Sequence, residues 1–174
     1  MNINNWVRIL KNEEAKRKAY TLGLQYEEEH YNCAQCTVAA IQDALGVRND
    51  DVFRAASGLA GGIGIAGDCC GAYTGGVMML SYLHGRTREQ FPEPGSEGKY
   101  SMKAYELAKR LREKFIEEYG SVNCRDIQKK ILGRSFNFWD PKENREFEEA
   151  GGHTADKCPS VVGRSAQWVI EILP

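Results

Sequence analysis

Six cysteines carry the reactive chemistry of this 174-residue chain: Cys33 and Cys36 in "YNCAQC", Cys69 and Cys70 in "DCCGAYTGG", Cys124 in "VNC" and Cys158 in "DKCPS". A cysteine acts as a nucleophile or a metal ligand through its thiolate. Four separate helices are each expected to begin at one of them. Cys33 follows the candidate cap Asn32, Cys69 and Cys70 follow Asp68, Cys124 follows Asn123, and Cys158 precedes Pro159. The first turn of a helix has unpaired N–H groups and roughly half a positive charge. A thiol there is expected to ionise readily. If the four helix starts meet, their N–H groups can also donate to the sulfurs of a bound inorganic group.

Other residues offer competing chemistry. Cys33 and Cys36 form a C-x-x-C, but the strand–helix context of a thioredoxin motif is missing, and Thr37 follows it where a haem-attachment site needs histidine. This excludes haem attachment and leaves Cys36 as a resolving thiol, a substitute ligand or core packing. In the Cys69–Cys70 doublet, one residue is expected to be a ligand and the other to pack. Gly62, Gly64 and Gly67 match G-x-G-x-x-G, but no strand precedes them and no parallel-sheet pattern exists, so NAD binding is not expected. Glycines at 61, 62, 64, 67, 71, 75 and 76 suit a close approach of the backbone to a bulky group, with Gly67, Gly71 and Gly75 as candidate cofactor contacts. Gly71 and Gly75 also lie on one helix face where another helix can pack. Among the histidines, His30 lies three residues before Cys33, His84 reads as a favourable helix C-terminal residue, and His153, in the glycine-flanked "GGHTADKC" five residues before Cys158, stands out. The acidic run Glu27 to Glu29 reads as a solvated face without a catalytic role. No Ser/His/Asp triad, P-loop or paired general acid and base stands out.

The elements that must position the cysteines read as all-α: a compact multi-helix bundle with a glycine-rich loop and several helix N-termini converging on a cysteine site. The expected helices run from Glu13 (capped by Asn12) to about Glu28, from Asn32 to Gly46, from Asn49 or Asp50 to Gly58, through "CCGAYTGGVMMLSYLH" to Gly85, through "YSMKAYELAKRLREKFIEEY" to Gly120, from Asn123 to Gly133, and from Cys158 to Leu173. Met102, Tyr105, Leu107, Leu111, Phe115 and Ile116 form the apolar stripe of the fifth. Pro92 and Pro94 mark a loop. The segment 134–157 reads as a long loop, with one helical turn between Glu143 and Ala150. The whole chain, 1–174, is expected to be one domain, with residues 1–29 as an N-terminal helix.

Composition narrows the function classes. The chain is 42% hydrophobic and 27% charged, an ordinary globular balance, and its formal net charge of −1 argues against nucleic acid as partner. No apolar run is long enough to span a membrane, and "MNINNWVRILK" lacks the pattern of a secretory signal, so a cytoplasmic protein is expected. In a reducing cytosol six cysteines point to metal binding, catalysis or burial rather than a disulfide framework.

The residues Cys70-Gly71-Ala72-Tyr73-Thr74-Gly75, with Cys33 before them and Cys124 and Cys158 after them, resemble the redox-active proteins of the C_GCAxxG_C_C family, which carry a CGAxxG motif and four characteristic cysteines. The similarity runs from about residue 30 to 162; Cys36 and Cys69 are additional to the four. The resemblance implies a small helical redox domain linked to a transport system. A similar domain in split-Soret cytochromes c is associated with an iron–sulfur centre.

The expected function is therefore a redox protein binding an iron–sulfur cluster of the [2Fe–2S] type through Cys33, Cys70, Cys124 and Cys158, for electron transfer or redox sensing with an unidentified redox partner. The alternative is a metal-free thiol–disulfide oxidoreductase or sensor using Cys33, Cys36, Cys69 and Cys70. A structural zinc site ranks lower, because zinc cysteines usually come as two close pairs, and a binding module with merely buried cysteines is the remaining reading. A homodimer is also considered, with the aromatic "FNFWDP" and the apolar "GVMML" as interface candidates.

Overall fold

A computed structural model describes residues 13–174, and among them the fold is all-α, with eight α-helices. The candidate cap Asn12 lies outside the described residues. Helix α1 (Glu13–His30) packs along the last helix, α8 (Cys158–Ile172), and beside α2 (Cys33–Leu45). Its buried stripe is Ala15, Ala19, Gly23 and Glu27, spaced by four. Small residues let α1 and α8 approach closely: a Cβ on Gly23 would stand 2.9 Å from Gly163 Cα.

The turn between α1 and α2 is tight. Tyr31 and Asn32 are both left-handed (φ 58° and 67°), and Asn32 caps α2 by accepting from Gln35 N–H at 3.2 Å. Gly46 closes α2 in the left-handed conformation. Helix α3 (Asp50–Ala55) is capped by Asn49, which accepts from Val52 N–H at 3.0 Å. It ends earlier than its sequence suggests and gives way to a 3₁₀ turn at Ser57–Leu59.

The glycine loop follows. Residues 61 to 65 all have positive φ, between 52° and 81°, forming one left-handed turn that includes Ile63 and Ile65. Left-handed backbone costs a non-glycine residue about 1–2 kcal/mol. The turn is held by N–H bonds from Ile65 to Ala60 O, Gly67 to Gly61 O and Asp68 to Gly62 O, at 2.9–3.0 Å. The G-x-G-x-x-G glycines thus sit in a left-handed turn, without the strand-to-helix geometry of a dinucleotide site.

Helix α4 (Gly71–His84) packs on α2, α5 and α8. In the bundle core Ser165 of α8 donates to Ala72 O at 2.6 Å. A π-helical turn at Glu97–Ser101 leads into α5 (Met102–Tyr119). The face α5 buries is Ala104, Leu107, Leu111, Phe115 and Tyr119; Met102 and Tyr105, expected in its apolar stripe, are half exposed because they lie on its other side. Helix α6 (Cys124–Leu132) ends at left-handed Gly133.

The segment 134–157 is not one long loop. It contains α7 (Pro141–Glu149), capped by Asp140, which accepts from Lys142 N–H at 2.8 Å, with Pro141 in the first turn. In the aromatic stretch before α7, Phe136 and Phe138 pack inward while Trp139 stays 70% exposed. Phe136 and Phe138 meet Phe147 edge to face, at 5.6 and 4.9 Å between centroids, and Trp139 donates to Gly64 O at 3.0 Å. The "GVMML" part of α4 likewise packs inward, with Met79 and Leu80 fully buried. No helix among the described residues is long and apolar enough to cross a membrane.

Candidate functional site

Cys33, Cys124 and Cys158 are the first residues of α2, α6 and α8, and Cys70 immediately precedes α4. All four line one cavity of about 240 Å³. Local backbone pairing explains how two of them meet. Cys69 and Asn123 form an antiparallel bridge, with Cys70 N–H bonded to Val122 O at 2.8 Å and Cys124 N–H to Asp68 O at 2.6 Å, so the starts of α4 and α6 lie side by side. Cys33 is brought to α4 by the absence of a side chain at Gly71: a Cβ there would stand 2.4 Å from Cys33 Sγ. Cys158 is placed by the turn after α7, where its N–H donates to Gly152 O at 3.1 Å.

The rest of the wall is mostly apolar: Ile65, Ala72, Ile127, Phe138, Phe147, Val161 and Val162, with Glu27, Tyr31, Asn32, Gln128, Asn144 and His153 as its polar members. Among the described residues no lysine or arginine lines it. Donors are directed at the sulfurs. Gly61 and Gly71 N–H groups reach Cys33, Ala72 and Tyr73 N–H groups reach Cys70, and Gln128 Nε2 donates to Cys124 Sγ at 3.2 Å.

The four thiols are not ionised by their helix starts. Burial pushes Cys33, Cys70 and Cys158 well above the ordinary cysteine range and Cys124 up to about 12, and the thiols raise one another further. Withdrawal from water outweighs the helix N-terminal field and the N–H donors, which act in the opposite direction. The expected thiolates are therefore protonated in the metal-free protein.

The remaining predicted residues fall elsewhere. Cys36 is buried but not on the cavity wall; its thiol donates to Tyr31 O at 2.8 Å. Cys69 is half-buried and also off the wall. Gly75 lets α4 approach α2, since a Cβ would stand 2.6 Å from Ala34 O, and Gly67 gives room to the Arg125 side chain. Of the three candidate glycine contacts, Gly71 is the one whose N–H reaches a cavity sulfur. His153 lies on the wall, tilted 44° against the Tyr31 ring with centroids 4.2 Å apart and paired with Glu148 at 3.0 Å.

One site residue contradicts its sequence reading. Glu27, which the sequence places on a solvated acidic face, is 3% exposed and lines the cavity. Burial pushes its carboxyl up to about 8, and among the described residues Oε2 has no hydrogen-bond partner. Its signal in the sequence is the four-residue spacing Ala15, Ala19, Gly23, Glu27, which sets it on the packed face of α1 while Glu28 and Glu29 are exposed.

The residues present fit a cysteine-ligated inorganic group: four thiols from four helix starts, amide donors aimed at sulfur and an apolar shell. Among the described residues, no three His, Cys, Asp or Glu side chains converge on a single-ion position. The four sulfurs are instead spread around one cavity.

This is an all-helical protein whose defining feature is a four-cysteine cavity. The chain belongs to the C_GCAxxG_C_C family, described as "Putative redox-active protein", which matches residues 31–172. It is also similar to an uncharacterized protein of Archaeoglobus fulgidus, 30% identical over 116 residues that cover 66% of this chain and 74% of that one. No solved structure matches the chain significantly.

Proposed function

We propose that this is an iron–sulfur redox protein, with a [2Fe–2S] centre held by Cys33, Cys70, Cys124 and Cys158. The observation that carries the reading is the meeting of those four thiols, one from each of four helix starts, in one cavity. When bound, such a centre supplies one-electron chemistry at a potential set by hydrogen bonds to sulfur and by exposure to solvent. The chain's own part is to hold the thiols at their helix starts, to direct the N–H groups of Gly61, Gly71, Ala72 and Tyr73 and the Gln128 amide at sulfur, and to exclude water with Ile127, Phe147 and Val162.

Placement favours metal over free thiol–disulfide exchange. Four thiols share one cavity, whereas Cys36 and Cys69, the candidate resolving residues, lie off its wall. Cys33, Cys70, Cys124 and Cys158 would give up their thiol protons on binding metal, so loading would release protons and strengthen as pH rises. Sulfurs spread around a cavity suit a cluster better than one tetrahedral zinc ion.

Anaerobic reconstitution with iron and sulfide tests the reading. The expected result is about two irons and two sulfides per chain with visible absorption. Serine at Cys33, Cys70, Cys124 or Cys158 should lower that content, and Cys69→Ser should leave it unchanged. A wild-type protein that stays colourless and iron-free through this treatment would refute the proposal.

A further inference from the structure

A buried carboxyl with an unpartnered oxygen is costly, and a protein core normally removes or pairs it. Glu27 is 3% exposed, its Oε2 has no partner among the described residues, and it shares the cavity wall with all four cysteines. Among the described residues no lysine or arginine on the wall answers it, and the histidine there, His153, is paired with Glu148. The neighbour within hydrogen-bonding reach is the thiol of Cys36, behind the wall. Among the described residues nothing answers the free oxygen Oε2, which leaves the contents of the cavity as its partner.

Charge decides which form it takes. Four thiolates more than neutralise an oxidised [2Fe–2S] core, so the loaded centre is anionic. A second anion beside it in an apolar cavity without a cation would be repelled, whereas a neutral carboxylic acid offers an O–H donor. We propose that Glu27, as the neutral acid, donates a hydrogen bond from its free carboxyl oxygen to a sulfur of the group held by the four cysteines and so raises its reduction potential. The inference rests on the iron–sulfur reading above. A hydrogen bond to sulfur favours the more negative, reduced form. On reduction one electron enters from the donor, and the Glu27 proton stays on its oxygen.

The test is electrochemical titration of the anaerobically reconstituted full chain. Glu27→Leu removes the donor, and Glu27→Gln keeps an N–H donor at the same reach. In Glu27→Leu the reduced-to-oxidised ratio at a fixed electrode potential should fall about tenfold, which is about 59 mV for one electron. Glu27→Gln should recover most of that shift. An exchangeable proton coupled to the reduced centre, seen by electron–nuclear double resonance in H₂O against D₂O, should disappear in Glu27→Leu. If Glu27→Leu does not retain the centre, Glu27→Asp, one methylene shorter, should show the same downward shift. A variant without the donor that holds wild-type iron and titrates at the wild-type potential overturns the inference while leaving the four-cysteine reading intact. A wild-type chain that takes up no iron and sulfide removes both.

Discussion

Replacing Gly71 with alanine should disturb the cavity through a single methyl group. The added Cβ would lie 2.4 Å from Cys33 Sγ, 3.0 Å from Leu59 O and 3.1 Å from Ala34 N. Non-bonded heavy atoms rest at about 3.5–4.0 Å, so the sulfur must retreat by about 1 Å or more. Two of the three obstacles are backbone atoms, which leaves the start of α2 and α4 to separate. Overpacking of this kind costs about 1–3 kcal/mol, and the helix preference of alanine over glycine returns about 1 kcal/mol at most. The expected net loss is about 1–2 kcal/mol, a fall of about 2–8 °C in Tm for a domain of this size. Separation also weakens the Gly71 N–H bond to Cys33, so iron uptake should fall more than stability does. Thermal melts of the metal-free chain, paired with iron analysis after reconstitution, measure both effects. Gly58→Ala is the control, because nothing lies within 4 Å of its added Cβ. A Gly71→Ala protein that melts and loads iron like wild type would refute the claim that this glycine sets the distance between Cys33 and α4.

Three further outcomes follow from local contacts. In the metal-free protein Glu27 holds its proton up to about pH 8, against 4.5 in the unfolded chain. Its contribution is fully present below about 4.5 and is lost as pH rises to about 8, at about 1.4 kcal/mol per unit within that window. The facing thiols of Cys33, Cys36 and Cys158 titrate above the window, so urea midpoints against pH should fall in wild type and flatten in Glu27→Gln. Ser165→Ala removes the buried bond to Ala72 O and should cost about 1 kcal/mol in chemical denaturation. Asp140→Ala uncaps α7 and should cost about 1 kcal/mol, with increased amide exchange in α7 and at its neighbour Phe136 as the local sign.

Most of the helices could be read from local signals, because caps act within a few residues. Asn32, Asn49, Gly46, Gly120 and Gly133 mark the same helix ends in the sequence and in the structure. The four helix-start cysteines were visible for the same reason. Of α7 the sequence shows only a turn between Glu143 and Ala150, because its nine residues are mainly polar and charged, with Phe147 as the one buried side chain; its start is marked by Asp140-Pro141. Met102 and Tyr105 misled because an apolar residue near the right spacing reads as core until the neighbouring helix is known.

The sequence by itself determined which residues begin helices, that four of them are cysteines, and that glycines surround the second. These depend on short-range chemistry. Tertiary structure alone decided two things. The first is that the four helix starts share one cavity, through the pairing of 67–70 with 122–125 and the contact of Gly71 with Cys33. The second is the electrostatics of that cavity. Helix starts favour thiolates, but burial, which depends on what every other element covers, leaves the thiols protonated and keeps Glu27, from an ordinary-looking acidic run, neutral near pH 7 beside them.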